Sequence, residues 1–169
     1  MRPPIAFSYS RAQKFVHWSI LILCIAQFPT AAAIQRTHAA GPFGLKPDPI
    51  DLILHQVHAW NGWMILLLAA ILLGLRLVRG APVLPTAMAA WQRWTAHASR
   101  VCLYLGILAL AATGTGTMYL SQDFAPVHVF LTKLGIGLVA LHAAAALWHQ
   151  FMLRDNLLWR MMPNSRGNT

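Results

Sequence analysis

Four stretches of the chain run without a charged side chain: Phe15–Gln35, Leu52–Leu75, Val101–Gln122 and Leu134–Leu153, of 21, 24, 22 and 20 residues. A helix needs about 20 mostly apolar residues to cross the hydrocarbon core of a bilayer, and each run meets that length. None shows the alternation of a barrel strand, and lipid tolerates only helices or closed barrels. The pattern predicts an all-α transmembrane four-helix bundle, with residues 1–169 as one membrane-embedded domain. The first helix starts near Ser8 or Ser10 and weakens at Pro29. Thr37–Pro49 reads as a loop because it carries Gly41, Pro42, Gly44, Pro47 and Pro49. Helix two is expected over Ile50–Arg79, helix three over Met88–Leu120 and helix four over Pro126–Arg154, with Gly80, Pro82 and Pro85 breaking the chain between two and three.

Composition agrees with burial in lipid. The chain is 57% hydrophobic and 10% charged, against roughly 25% charge in ordinary soluble domains. The net charge of +9 comes from 13 Lys and Arg against four Asp, and nucleic acid is excluded as its meaning because that needs a basic patch on a soluble fold. Placement explains it instead. Arg36 and Lys46 balance Asp48 and Asp51, and Lys133 balances Asp123. Arg2, Arg11, Lys14, Arg76, Arg79, Arg93, Arg100, Arg154, Arg160 and Arg166 face only Asp155. Lys and Arg are retained on the cytoplasmic side, which predicts cytoplasmic termini and a cytoplasmic middle connection. The basic start, first apolar run and Ala31-Ala32-Ala33 also fit a cleavable signal peptide, but the run is long enough for a span. Cys24 and Cys102 read as small core residues, with no C-x-x-C-H haem attachment.

The chemistry lies in histidines. A polar, ionisable ring within a span is costly and marks function by default. His128 and His142 are fourteen residues apart, close to four turns, so they share one face about 21 Å apart along the axis. Gly135 lies midway, where a flat ring system could approach the backbone. Matching by depth in an antiparallel bundle pairs His128 with His58 and His142 with His17. Gly62, one turn after His58, leaves further room. Neutral imidazole is a common axial ligand of haem iron, so His17, His58, His128 and His142 are the expected metal and cofactor ligands, holding two haem b groups.

Three histidines compete. His55 shares part of the His58 face, His149 continues the stripe of His142, and His97 sits at the start of helix three. The depth match of His17 requires helix one to reach back toward Ser10 with Lys14 snorkelling outward; otherwise His149 is the rival ligand. A zinc site from His55 and His58 alone is a weak reading without a Cys or carboxylate cluster. Each histidine could also simply hydrogen-bond a neighbouring helix.

Leu141-His142-Ala-Ala-Ala-Ala-Leu147-Trp148-His149, followed by Arg154-Asp155-Asn-Leu-Leu-Trp-Arg160-Met161-Met-Pro163, resembles the helix-four ending of the bacterial cytochrome b561 family. Tyr9-Ser10-Arg11 leading to His17-Trp18, and His58-x-x-x-Gly62, are similar to its first and second helices. The resemblance implies a di-haem protein of the inner membrane with His17, His58, His128 and His142 as haem ligands. It also implies electron transfer between a periplasmic-side donor and ubiquinone within the bilayer; one activity in the family is superoxide oxidation, which would make the chain a superoxide:ubiquinone oxidoreductase. Two other readings remain at this point: a cytochrome b subunit serving a partner dehydrogenase or hydrogenase, and a haem-free membrane transporter or assembly protein. The connection Tyr119–Pro126 is shorter than in many members of that family. No catalytic residue is singled out beyond the haem ligands, and Arg76, Arg79, Arg93 and Arg100 could pair haem propionates or quinone oxygens.

Overall fold

The computed structural model describes residues 8–82 and 88–162. Arg2, Pro85, Pro163 and Arg166 lie outside the described residues. Four long helices follow one another: α1 (Arg11–Ala40), α2 (Pro49–Arg79), α3 (Ala90–Tyr119) and α4 (Ala125–Trp148). Short 3-10 turns occupy Gly41–Phe43, Gln122–Phe124 and Trp159–Met161, and α4 runs on into one π-helical turn, His149–Leu153. All four helices are long and apolar enough to cross a membrane, and the described residues contain no strand.

Local chemistry sets the ends. Ser10 and Gln13 form a reciprocal cap: the Ser10 N–H donates to Gln13 Oε1 at 3.0 Å and the Gln13 N–H donates to Ser10 Oγ at 3.3 Å. Each satisfies a backbone donor that the first helical turn would otherwise leave orphaned. α2 opens on Asp48, whose carboxylate accepts from the Ile50 N–H at 2.7 Å, with Pro49 in the first turn. It closes at Gly80, where φ is +76°.

Two features differ from expectation. α1 passes through Pro29 and continues to Ala40, so the loop shrinks to residues 41–48. Proline removes one donor from the ladder, but Thr30 Oγ1, 3.0 Å from the Ala26 and Gln27 carbonyls, adds a donor in the same turn. Lys14 does not snorkel outward either, since it is only 4% exposed. His17 nevertheless lies six residues inside α1, because the helix reaches back to Arg11.

α1 packs chiefly on α2 and α3 chiefly on α4, with a thinner α2–α3 contact. At one end, the loop end, Arg36 clamps Asp51 through two hydrogen bonds of 2.6 and 2.9 Å. At the other, the terminal end, the chain's extremities meet. The Ser8 hydroxyl and the Tyr9 N–H both donate to the Arg160 carbonyl, and Trp18 Nε1 donates to the Met161 carbonyl at 2.9 Å. Gln13 Nε2 adds a bond to the Gly80 carbonyl at 3.1 Å. Outward positions are apolar; Phe15, Ile22, Ile25 and Phe28 of α1 are all more than half exposed, as lipid-facing side chains should be. Few apolar side chains are well covered: Val16, Ala33, Ile65, Ala69 and Met88.

Gln13→Ala removes the side-chain half of the α1 cap and the tie to Gly80, leaving the bond from the residue-13 N–H to Ser10 Oγ. The expected loss is about 1–3 kcal/mol, the scale for a buried polar partner removed, read as a lower thermal midpoint of the purified protein.

Candidate functional site

On α4 the better-covered positions include His128, Leu131, Gly135, Leu138 and His142, at helical spacing, while most of the helix is exposed. This one inward stripe therefore carries both histidines. Antiparallel packing brings a partner to each. His17 of α1 stands opposite His142, with ring centroids 6.5 Å apart and planes at 60°; His58 of α2 stands opposite His128, again at 6.5 Å, with planes at 77°. All four rings are partly covered.

The separation has chemical meaning. A metal–imidazole bond of about 2.0–2.1 Å, plus about 1.1 Å from nitrogen to ring centroid, puts two imidazoles on opposite sides of one metal about 6.3 Å apart. Direct hydrogen bonding between the rings would need a closer approach. Both pairs fit a shared central metal, and the neutral nitrogen donor set suits haem iron.

The pair nearer the loop end is further organised by threonines. Thr30 Oγ1 lies 3.1 Å from His58 Nδ1, and Thr113 Oγ1 lies 3.1 Å from His128 Nδ1. Each hydroxyl also reaches carbonyls of its own helix, Ala26 and Gln27 for Thr30, Ala109 and Leu110 for Thr113. A hydroxyl has one proton; donating it to a carbonyl leaves the oxygen to accept from Nδ1–H. That tautomer puts the free lone pair on Nε2 of both rings. Among the described residues, no threonine hydroxyl is hydrogen-bonded to His17 or His142.

Glycine also matters here. A Cβ at Gly114 of α3 would stand 3.1 Å from His128 Cε1 and 3.4 Å from Nδ1, so glycine makes room for the ring. Gly62 and Gly135 are less crowded. A Cβ at Gly62 would meet Gln27 Nε2 at 3.5 Å, and one at Gly135 would meet Leu110 Cδ1 at 3.5 Å, so both face neighbouring helices.

The competing histidines stand elsewhere. His149 Nδ1 pairs with Asp155 Oδ2 at 2.5 Å, in the π-turn beyond α4. His55 lies beside His38, centroids 5.6 Å apart, with Thr37 Oγ1 3.5 Å from its Nδ1. His97 is exposed. Sequence reasoning missed Thr30, Thr113 and Gly114; the alternating run Thr113-Gly114-Thr115-Gly116-Thr117 was the available signal, a polar, small-residue tract inside an apolar span.

A membrane-spanning bundle with two cross-helix imidazole pairs is the architecture of a membrane cytochrome b. The model of the prokaryotic cytochrome b561 family matches residues 8–164, and the chain belongs to that family. It is 31% identical over 161 residues to cytochrome b562 of Cereibacter sphaeroides, covering 91% of this chain and 94% of that one. It is 26% identical over 160 residues to "Probable superoxide oxidase CybB" of Yersinia pestis (95% and 80%), and 25% identical over 180 aligned positions to cytochrome b561 homolog 1 of Escherichia coli (94% and 98%). No solved structure matches. The protein is thus a multi-pass protein of the bacterial inner membrane, a haem b cytochrome of electron transport.

Gly114→Ala is expected to press on the His128 ring and lower the haem content of the purified protein. Gly106→Ala, where an added Cβ meets nothing within 4 Å, should leave it unchanged. Pyridine haemochrome absorbance per chain measures both.

Proposed function

We propose that this chain is a di-haem cytochrome b that carries electrons between a donor at its loop end and ubiquinone dissolved in the bilayer. The observation that carries the reading is the pair of 6.5 Å imidazole separations on a single stripe of α4. In this reading His17 and His142 hold one haem and His58 and His128 the other. Bound there, haem supplies reversible one-electron chemistry. Thr30 and Thr113 fix the His58 and His128 rings so that Nε2 points away from the hydroxyl, and accepting their Nδ1 protons makes those imidazoles stronger donors. The excess of Lys and Arg at the terminal end supports cytoplasmic termini, which puts the loop end in the periplasm.

Superoxide is the donor proposed, on the strength of the Yersinia pestis relative's name. The balanced conversion takes two superoxide anions, one quinone and two protons to two dioxygen molecules and one quinol. Charge at the loop end offers little long-range steering, because Arg36 is clamped to Asp51.

The test has two stages. Purified protein should carry two haems per chain with sharp reduced bands, and His58→Ala or His142→Ala should each halve the pigment; full pigment in either variant refutes the ligand assignment. Superoxide added with ubiquinone should then yield quinol without a second protein. Two intact haems and no quinol would instead mark the chain as a subunit fed by a partner dehydrogenase or hydrogenase.

Removing a threonine hydroxyl weakens its histidine as a donor and so favours the reduced metal. Thr113→Val should raise the reduction potential of the haem nearer the loop end and leave the other where it was, as measured by spectroscopic redox titration.

A further inference from the structure

The terminal end holds a charge arrangement that the ligand set does not explain. Arg76 of α2 and Arg100 of α3 are both partly covered. Arg76 Nη2 donates to the Tyr9 hydroxyl at 3.3 Å, and its guanidinium carbon sits 5.8 Å from the centre of the Tyr9 ring. Arg100 lies near the same tyrosine, near Arg76 and near the His142 ring. Two guanidiniums therefore converge on one tyrosine beside an imidazole pair.

No carboxylate neutralises them. The chain has four Asp and no Glu. Asp48, Asp51 and Asp123 stand at the loop end, and Asp155 is engaged by His149. Two like charges partly withdrawn from water repel each other and lose hydration, so holding them together without an anion is costly. Guanidinium is also the side chain best shaped to grip a carboxylate through two parallel hydrogen bonds.

We propose that Arg76 and Arg100, with the Tyr9 hydroxyl between them, form an anion site that receives the propionate carboxylates of the haem held by His17 and His142. This rests on the di-haem reading above. The haem carries its own carboxylates, it is large enough to extend beyond its two axial rings, and the arginines lie on the two helices that supply no ligand to that pair. A phospholipid phosphate is the other source of an anion with the same chemistry.

Redox titration and resonance Raman spectroscopy of the purified holoprotein test the site, with the haem nearer the terminal end assigned as the one lost in His142→Ala. Removing a positive charge disfavours the reduced state. Arg100→Gln and Arg76→Gln should each lower the equilibrium constant for reducing that haem about tenfold, which is 59 mV for one electron. The other haem should not move, and the propionate bending band should shift. Arg100→Lys retains charge without the fork, so it should restore the potential and leave the band shifted; it also covers the case in which Arg100→Gln does not fold. Two haems with unchanged potentials and bands in every variant would overturn the proposal while leaving the di-haem reading intact. Unchanged bands with less co-purified phospholipid phosphorus would assign the site to lipid and overturn it equally. A wild-type chain without two haems would refute the di-haem reading itself.

Discussion

An imidazole inside a lipid-embedded bundle has two nitrogens and no water to satisfy them, and the architecture of this protein follows from that demand. Each of the four inward histidines faces a second ring across the bundle at the same 6.5 Å. Meeting that distance twice requires α4 to run antiparallel to α1 and in the same direction as α2, and to set its two histidines a whole number of turns apart. It also requires α1 and α2 to deliver one ring each at the matching depth. Burial of apolar side chains cannot supply such precision, since only a handful of positions are well covered and lipid is as good a solvent for leucine as the neighbouring helix. Polar geometry, more than a packed core, sets the register of these helices.

The two ends of the bundle solve their electrostatics differently. At the loop end acids and bases cancel, with Arg36 and Asp51 locked together and Asp48 occupied in capping α2. At the terminal end, bases outnumber acids, and the chain's own extremities fold over the helix ends through backbone carbonyls of Arg160 and Met161. The imidazole pairs inherit this contrast. His58 and His128 are held by neutral hydroxyls, whereas His142 lies near a guanidinium. Two similar imidazole pairs in one bundle thus experience different fields.

Much of this is legible in the sequence. The four spans are readable because a charge-free run of twenty residues has few alternatives, and the histidine pairs because His128 and His142 lie fourteen residues apart while antiparallel topology matches depths. The features that escape a reading of the sequence depend on neighbours. Thr30 and Thr113 look like ordinary helix residues until the facing helix brings an imidazole within 3.1 Å. Pro29 suggests a weak point because proline removes a donor, but the hydroxyl that strengthens the same turn is visible only in three dimensions. Gly114 gives no sign in the sequence that a Cβ there would stand 3.1 Å from the His128 ring.

The wide turn at the end of α4 decides what becomes of the next histidine on the inward stripe. Residues 128, 135 and 142 share a stripe, and 149, whose N–H still bonds to the Ala145 and Ala146 carbonyls, is the next position along it. The π-turn begins at His149 itself, whose carbonyl receives the Arg154 N–H five residues on, and Asp155 folds back to grip its ring. An extra residue in the turn changes the angular phase of the chain beyond it, while the carboxylate captures the nitrogen that could have reached inward. What takes His149 out of the facing pairs is therefore a carboxylate and not a rotation of its own position: the skipped backbone bond re-aims only the chain that follows, and in doing so returns Asp155 to the ring.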